Sequence, residues 1–444
     1  MNIILLSGGS GKRLWPLSNK SRSKQFLKLL KNENNEFESM VQRVYRQIQL
    51  AGIQANIIVA TGQSQVDSIR SQLGNSVDIV LEPDRRDTFP AIALSSAYLA
   101  FEKKIPLDEV IVVMPVDPYT DLGYFTTLIK VEQAAKDGVG DLVLIGIKPK
   151  HPSEKYGYIV PLINKGGYFT VQSFTEKPTK ERAVELISEG AFWNGGVFAF
   201  KLDYLMNIVN KYVQVNSFEE LRNKYLFLKQ ISFDYEVVEK ASTVAMIPYD
   251  GEWKDLGTWN TLTEEMDEHC MGRATLAEDR GNTYIINELD IPIVALGTRD
   301  LVIAASPDGI LISDKESSSR LKSYMDKLEQ RPMYEERSWG EYKVLDYIVH
   351  DDGNMSLTKH LKINTGEYIS YQVHAFRDEI WTIVDGTGIL LIEGHVRNVK
   401  RGDVSLITRG QKHSIRAITD LRIIEVQIGA ELTEEDIVRY DWEW

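Results

Sequence analysis

Short apolar runs alternate with segments of helical periodicity over residues 1–265. Residues 109–114 and 141–147 are apolar without alternation, which is typical of strands that are covered on both faces. Similar runs occupy residues 2–5, 57–60 and 78–81, and residues 63–73 and 180–188 have helical patterns. The alternation of such strands with helices predicts an α/β domain with a mostly parallel sheet.

After residue 265 the pattern changes to short strand-like runs with turns between them. These runs occupy residues 283–286, 291–296, 301–304 and 310–313, and a helical pattern follows over residues 320–328. From residue 331 to residue 444, short apolar runs are separated by Gly, Asp and Asn, which is typical of an all-β sandwich or barrel. We therefore predict three domains, over residues 1–265, 266–330 and 331–444.

Composition and charge narrow the functional classes. The 444 residues are 43% hydrophobic and carry a net charge of −13, which argues against nucleic acid or an anionic membrane as the main partner. Cys270 is the single cysteine, so an internal disulfide and a cysteine-rich metal cluster are excluded. No apolar run approaches the roughly 20 residues that span a bilayer, and residues 2–5 do not resemble a signal peptide. We expect a cytoplasmic protein.

A glycine-rich loop, Leu6-Ser7-Gly8-Gly9-Ser10-Gly11-Lys12-Arg13, follows the first predicted strand. Such a loop can turn its N–H groups toward a polyphosphate, with cationic side chains nearby. A P-loop would need glycine at Leu6 and a hydroxyl residue at Arg13, and the dinucleotide-binding pattern would need glycine at Leu14. Both patterns fail, so the loop alone leaves phosphate binding and a structural turn equally open.

Several polar residues follow other predicted strands. Asp117 lies at the carboxyl end of a buried strand, the edge at which α/β sheets bind ligands, so it could hold Mg²⁺ or cap a turn. Asp255 has the same two interpretations. Lys24 could contact the phosphates or be a solvated residue at a helix start, and the polar segment 82–91 could contact a base or turn the chain.

Seven short segments occur in an order that resembles one enzyme family. They are residues 6–18 (LSGGSGKRLWPLS), 24–27 (KQFL), 82–83 (EP), 86–91 (RDTFPA), 176–178 (EKP), 193–195 (WNG) and 255–259 (DLGTW). The chain resembles, over nearly its whole length, the long-type bacterial mannose-1-phosphate guanylyltransferases, which have a C-terminal cupin domain similar to phosphomannose isomerase. The fold implied is a Rossmann-like nucleotidyltransferase domain, a small β-helix-like subdomain and a cupin barrel.

The resemblance also implies roles for particular residues. Those expected to bind the nucleotide are Leu6, Ser7, Gly8, Gly9, Gly11, Glu82, Arg86 and Asp87. Those expected to hold the sugar hydroxyls are Gly157, Glu176 and Asn194. Arg13 and Lys24 are expected to stabilise the charged transition state, and Asp117 and Asp255 are expected to share Mg²⁺.

The chain departs from the family pattern at three positions in this region. The family usually has proline at Ser23, histidine at Pro118 and asparagine at Asp87. None of the three departures removes a charge that the reaction needs. We therefore expect them to affect loop shape or base contacts more than catalysis.

The C-terminal region resembles the two cupin motifs, with glutamine in place of the first histidine. Gln372, His374, Glu379 and His413 would then form a four-ligand site for Zn²⁺ or another divalent transition metal, although scattered polar residues on a barrel are the alternative. Isomerase-active relatives commonly carry three consecutive histidines from the position of His374 and a further histidine at the position of Ile380. Ala375, Phe376 and Ile380 stand there instead, while Arg377 and Trp381 remain, so isomerase activity is open.

Three functional hypotheses follow. The first is an enzyme that makes GDP-mannose from GTP and mannose 1-phosphate, and the second is the same chemistry on another sugar 1-phosphate, such as a heptose. The third is a non-catalytic regulatory subunit that senses a nucleotide sugar, against which the presence of Arg13, Lys24, Asp117 and Asp255 argues. The β subdomain offers surface for a homodimer, so a homo-oligomer is expected.

Overall fold

The chain forms two compact units in the computed structural model, which describes residues 1–9, 11–278, 281–328 and 331–444. The first unit comprises residues 1–10, 23–66 and 72–267, and the second comprises residues 11–22, 67–71 and 268–444. The division into three domains after residues 265 and 330 stays a prediction. Ser10 of the glycine-rich loop and residues 329–330 at the second expected boundary lie outside the described residues.

The first unit consists of strands and helices that alternate along the chain. Its strands are β1 (Asn2–Leu6), β2 (Leu30–Lys31), β3 (Phe37–Glu38), β4 (Asn56–Gly62), β5 (Asp78–Glu82), β6 (Val110–Pro115), β7 (Pro118–Thr120), β8 (Leu142–Ile147), β9 (Tyr158–Asn164), β10 (Phe169–Thr175), β11 (Phe192–Lys201), β12 (Val244–Tyr249) and β13 (Trp253–Asp255). Its helices are α1 (Met40–Leu50), α2 (Val66–Leu73), α3 (Thr88–Ala97), α4 (Leu122–Lys136), α5 (Lys180–Ser188), α6 (Leu202–Tyr212), α7 (Phe218–Asn223), α8 (Phe233–Glu236) and α9 (Trp259–Thr263), although residues 67–71 of α2 belong to the second unit. Among the described residues, no helix is long and apolar enough to cross a membrane.

Nine of these strands form one sheet, in the order β5-β4-β1-β6-β11-β8-β12-β10-β9. The part from β5 to β6 is parallel, and β8 and β12 are also parallel. The α/β prediction is confirmed, but the sheet as a whole is mixed rather than mostly parallel. One reason is that only residues 165–168 connect β9 to β10, and so short a connection allows only antiparallel pairing.

The apolar runs without alternation form the strands of the sheet centre, as their pattern predicts. The side chains of Ile3, Ile4 and Leu5 in β1 are fully buried, and those of β6 from Val110 to Met114 are fully buried as well. Burial on both faces follows from helices that cover each side of such a sheet. The two strands are thereby fixed as neighbours, with Leu6 opposite Pro115.

Residues 270–314 of the second unit form a small set of strands whose pairing is parallel except between the last two. Its strands are β14 (Cys270–Gly272), β15 (Ala274–Leu276), β16 (Tyr284–Asn287), β17 (Ile293–Ala295), β18 (Leu301–Ser306) and β19 (Gly309–Asp314). Parallel pairing runs from β14 through β16 to β18, and β15 pairs in parallel with β17, which is the stacking of a β-helix. The helix expected over residues 320–328 is shorter, since α10 (Leu321–Met325) follows a 3₁₀ turn over Ser317–Arg320.

The rest of the second unit is all-β, as predicted. Its strands are β20 (Tyr334–Arg337), β21 (Gly340–Val349), β22 (Met355–Ile363), β23 (Tyr368–Val373), β24 (Arg377–Asp385), β25 (Thr387–Ile392), β26 (His395–Lys400), β27 (Val404–Ile407), β28 (His413–Ala417), β29 (Leu421–Gly429) and β30 (Val438–Tyr440). They form two sheets, β20-β21-β22-β29-β24-β27 and β26-β25-β28-β23-β30. Alternate residues point into a common core that includes Leu357, Trp381 and Ile423.

The segment 11–22 is bound to the rest of the second unit by polar contacts. The Arg22 guanidinium donates two hydrogen bonds to the Glu288 carboxylate, at 2.9 and 3.0 Å, and lies 3.8 Å from a Glu336 oxygen. The Ser306 hydroxyl donates to the Pro16 carbonyl at 2.6 Å. Because the Arg22 side chain is only 9% exposed, its removal leaves two carboxylates without their shared cation.

We therefore expect Arg22→Ala to lower the free energy of unfolding of the second unit by about 3 kcal/mol, the cost typical of removing one partner of a buried ion pair. Urea denaturation followed by circular dichroism measures it. The control is Arg182→Ala, which removes a guanidinium whose carboxylate partners are exposed. This variant should denature at the same urea concentration as wild type. Equal behaviour of the two variants would contradict the role of Arg22.

Candidate active site and metal centre

Three buried polar side chains hold the glycine-rich loop after β1. Gln25 donates from Nε2 to the Ser7 hydroxyl at 3.2 Å, and Gln65 donates to the Gly9 carbonyl at 3.2 Å. Thr61 donates to the Ser7 carbonyl at 3.1 Å. These bonds set the path of the loop, and the positive φ of 141° at Gly9 favours glycine there.

Lys24, Asp117 and Asp255 meet at the edge of the sheet where the loop leaves β1. The Lys24 ammonium lies 2.8 Å from an Asp117 carboxylate oxygen and 3.4 Å from an Asp255 oxygen. Asp255 pairs with Pro118 across β13 and β7, and Asp117 directly precedes Pro118, so strand pairing brings the two carboxylates together. The structure therefore joins three of the residues that the sequence singled out.

The chemistry of this group fits Mg²⁺. Two carboxylates converge on one cationic centre, and Mg²⁺ is typically bound by one or two carboxylates together with phosphate oxygens and water. Both carboxylates remain about one-third exposed, so phosphate can reach them.

Arg13 and Gly11 belong to the second unit, where Arg13 is exposed and Gly11 has a positive φ of 64°.

Gly157, Glu176 and Asn194 also lie together. The Asn194 N–H donates to the Gly157 carbonyl at 2.8 Å. A Cβ atom at position 157 would lie 2.4 Å from Glu176 Oε2, so glycine is needed for this close approach. Glu176 Oε1 is 2.8 Å from the Lys177 ammonium, whereas its buried Oε2 has no hydrogen-bond partner among the described residues. A buried acceptor of this kind can bind a hydroxyl group.

Aromatic rings line the space between this group and Asp255. The Tyr156 ring lies 4.9 Å from the Trp193 ring and 5.2 Å from the Trp253 ring, measured between centroids. Burial and the nearby Asp255 carboxylate raise the pKa of Tyr156 to about 12. Its hydroxyl therefore stays protonated near neutral pH. An apolar wall with a few polar groups is typical of a small-molecule site.

The residues expected to face the nucleotide base have protein partners of their own. Glu82 accepts a hydrogen bond from the Tyr225 hydroxyl at 2.8 Å, and Arg86 donates to the Leu228 carbonyl at 3.1 Å. Asp87 caps α3 by accepting from the Thr88 N–H at 2.8 Å, which is the turn alternative left open by the sequence. Their contact with nucleotide stays a prediction.

His374, Glu379 and His413 form a buried group inside the second unit. One ligand atom from each lies within 4.8 Å of the other two. His374 Nε2 is 3.3 Å from Glu379 Oε1, and His413 Nε2 is 3.4 Å from Glu379 Oε2. His374 directly follows β23, His413 belongs to β28 and Glu379 belongs to β24, so strands from both sheets position the group.

Backbone contacts orient both histidines as metal ligands. Each places its Nδ1 against a backbone carbonyl, that of Asp436 for His374 and that of Gln411 for His413. A carbonyl only accepts, so Nδ1 carries a proton and Nε2 is the ring nitrogen that is left to bind a metal. Burial lowers the pKa of His374, which favours this neutral form. The donor set fits a divalent transition metal.

Gln372 differs from the expected ligand set. Its amide nitrogen, not its oxygen, lies 3.2 Å from His374 Nε2, because the oxygen accepts from the Ser370 hydroxyl at 2.9 Å. A ligand role would require the amide to turn over. Arg377 adds a guanidinium to the group, with Nε donating to Glu379 at 2.9 Å and Nη2 lying 3.2 Å from His374 Nε2.

The structure adds residues that the sequence did not single out. In the first unit these are Thr61, Gln65, Tyr156 and Asp234, and in the second unit they are Glu425, Gln427 and Asp436. Glu425 and Glu379 share the Trp381 indole N–H, and burial together with the Glu379 charge raises the pKa of Glu425 above its usual range. The alternation of residues along β29 could have indicated Glu425 from the sequence, because Glu425 lies opposite Trp381 on the neighbouring strand.

Comparison with known proteins covers both units. Residues 2–270 match the family model described as nucleotidyl transferase, and residues 326–442 match that described as mannose-6-phosphate isomerase C-terminal. Over 98% of both chains, the protein is 29% identical to the mannose-1-phosphate guanylyltransferase of Salmonella montevideo. It is also 27% identical to the alginate biosynthesis protein AlgA of Pseudomonas aeruginosa, over 99% of this chain and 96% of that protein.

A solved structure is similar to about three quarters of the chain. The crystal structure described as mannose-1-phosphate geranyltransferase from Thermus thermophilus is 28% identical, with a TM-score of 0.62. The match covers 74% of this chain and 99% of that one.

The histidine and glutamate geometry predicts that the chain binds one Co²⁺ ion, used as a spectroscopic probe, with visible d–d absorption. His413→Ala should abolish the absorption band, since it removes one of the three converging ligands. His350→Ala is the matched control, because His350 is exposed and lies outside the group, and this variant should keep the band. Loss of the band in both variants, or in neither, would contradict the site.

Proposed function

The chain belongs to the nucleotidyl transferase family and, over nearly its whole length, to the long-type mannose-1-phosphate guanylyltransferases, and we propose that it makes GDP-mannose and pyrophosphate from GTP and mannose 1-phosphate. The observation that carries this proposal is the meeting of Lys24, Asp117 and Asp255 at the edge where the glycine-rich loop leaves β1. Relatives named for alginate and xanthan biosynthesis support a role in polysaccharide synthesis.

The reaction needs electrostatic help more than a general base. A sugar 1-phosphate is already an anionic nucleophile. Its oxygen forms a bond to the α-phosphorus of GTP while the bond to the bridging oxygen of the β-phosphate breaks, and pyrophosphate leaves with the electron pair. The obstacle is repulsion between two polyanions in line, so cationic side chains and oriented N–H groups lower the barrier.

Several charged residues and the glycine-rich loop have roles in this proposal. Lys24 places its ammonium beside the phosphates, and the loop from Leu6 to Gly9 supplies backbone N–H groups. Mg²⁺ held by Asp117 and Asp255 would neutralise the triphosphate and polarise its α-phosphate. By resemblance to the family, Arg13, two residues beyond Gly11, is assigned to stabilising the charge of the transition state.

The sugar would bind at Gly157, Glu176 and Asn194. The unpartnered Glu176 Oε2 supports this role because it can accept a hydrogen bond from a sugar hydroxyl. The apolar wall of Tyr156, Trp193 and Trp253 would cover the sugar ring and exclude water. Glu82, Arg86 and Asp87 remain the proposed nucleotide-side segment.

The cupin group of His374, Glu379 and His413 would hold Zn²⁺ or another divalent transition metal. Gln372 would be a fourth ligand only after its amide turns over.

We also infer that the protein is cytoplasmic, since GTP is a cytoplasmic metabolite, and that it forms a homodimer. The edge strand β19 supports the dimer, because it exposes Ile310 and Ile312 by 55% and 68%.

Arg13→Ala and Asp117→Ala should each lower kcat for GDP-mannose formation by at least about 100-fold while the circular dichroism spectrum is unchanged, since each removes a charge that acts on the phosphates. Pyrophosphate release measures the rate. Arg182→Ala, which removes an exposed guanidinium on α5, is the control and should match wild type. Near-normal transfer by either variant would contradict the assignment.

The same pyrophosphate assay, run across sugar 1-phosphates and the four nucleoside triphosphates, separates the functional hypotheses. We expect GTP with mannose 1-phosphate to give the highest kcat/KM. Preference for a heptose 1-phosphate would support the second hypothesis. No release with any pair would support the regulatory subunit.

We expect the full-length chain loaded with Co²⁺ not to convert mannose 6-phosphate to fructose 6-phosphate. Ala375, Phe376 and Ile380 stand where isomerase-active relatives commonly carry histidine, so groups for proton transfer are missing even where the metal ligands are kept. A coupled assay for fructose 6-phosphate measures the outcome. Turnover that is lost in His413→Ala would overturn this expectation.

A further inference from the structure

Asp234 lies beside the proposed sugar site without belonging to any motif that the sequence identified. Its Oδ1 accepts a hydrogen bond from Asn194 Nδ2 at 2.7 Å. It also lies close enough to Glu176 for that carboxylate to act on it, since burial and the Glu176 charge raise the pKa of Asp234 to about 7. Asp234 therefore contacts one proposed sugar-binding residue and neighbours another.

The backbone around Asp234 is held firmly. Asp234 lies in α8, where the preceding Phe233 is fully buried and packs on Phe198 and Phe200, with ring centroids 4.8 and 5.6 Å away. The Phe233 N–H also donates to the Thr88 hydroxyl at 2.8 Å. A side chain on such a rigid element can fix the orientation of its neighbour.

The Asn194 amide has few remaining choices. Its Oδ1 accepts from the Gly196 N–H at 3.0 Å, and one of its two Nδ2 hydrogens goes to Asp234. If the amide turned over, its nitrogen would face the Gly196 N–H as a second donor, and its oxygen would lose that hydrogen bond and face the Asp234 carboxyl group. Asp234 and the Gly196 N–H together thus select the orientation in which the amide nitrogen has one N–H left.

We propose that Asp234 is a positioning residue of the sugar site, which holds the Asn194 amide so that its second N–H is available to a sugar hydroxyl. This inference rests on the proposed function. The N–H of Asn194 and the unpartnered Oε2 of Glu176 together offer one donor and one acceptor. A hydroxyl group, which both accepts and donates, matches this pair.

Steady-state kinetics of the full-length enzyme, with mannose 1-phosphate and GTP varied separately, tests the proposal. Asp234→Ala should raise KM for mannose 1-phosphate about tenfold or more, the cost of losing a hydrogen bond to a charged group, and leave KM for GTP within twofold of wild type. Asp234→Asn should restore most of the affinity, because its amide oxygen can still accept from Asn194. Glu239→Ala, which removes an exposed carboxylate five residues further on, should match wild type.

A double-mutant cycle shows whether Asp234 acts through Asn194. Asp234→Ala should add nothing to KM for mannose 1-phosphate in the Asn194→Ala background. Additive effects, an equal rise in KM for both substrates, or wild-type KM in Asp234→Ala would each overturn the proposal. If Asp234→Ala does not fold, Asp234→Leu, which fills the space with an apolar side chain and has no acceptor, takes its place against Asp234→Asn.

Different results would overturn the proposed function and the role of Asp234. A wild-type enzyme that makes no GDP-mannose overturns the proposed function, and this inference with it. A wild-type enzyme that makes GDP-mannose while Asp234→Ala keeps its affinity for mannose 1-phosphate overturns the role of Asp234 alone.

Discussion

The parallel pairing of β1 with β6, with Leu6 opposite Pro115, is the constraint on which the proposed transferase site depends. Adjacent parallel strands end at the same edge, so the glycine-rich loop and Asp117 start from neighbouring points. The short pairing of β13 with β7 then brings Asp255 beside Asp117. Three segments that are far apart in sequence thus reach one place because backbone hydrogen bonds fix their register.

Charge balance explains why Lys24, Asp117 and Asp255 can lie together before any substrate binds. Two carboxylates close together repel one another, and an acidic protein has no general excess of cations to relieve this. The Lys24 ammonium lies within 3.4 Å of both and neutralises part of their charge. The same cation and the same carboxylates are the groups that a polyphosphate and Mg²⁺ require, so the interaction that holds these side chains together also prepares them for substrate.

Local patterns predicted the parts of the structure that have local causes. Strands buried on both faces, such as β6 and β8, are unmixed apolar runs, and the loop after β1 is visible from its glycines. The antiparallel position of β11 has no such signature, because register is set by strands distant in sequence. Asp234 and Gln65 were missed for the same reason, since each acts through a hydrogen bond to a residue dozens of positions away. Serine at position 23, where the family usually has proline, does not change the backbone conformation, because the φ of −76° at Ser23 is one that proline also adopts.

In the cupin group, the contacts that orient the candidate metal ligands are separate from the side chains that bear on isomerase chemistry. Both histidines are oriented by backbone carbonyls, which remain whatever side chains occupy positions 375, 376 and 380. Asp436 further accepts hydrogen bonds from the N–H groups of Ala375 and Phe376, so the path of this loop does not depend on histidine side chains there. Ligand geometry thus rests on the backbone, whereas proton transfer depends on particular side chains. The proposed metal site therefore does not depend on the histidines that isomerase-active relatives commonly carry at these positions.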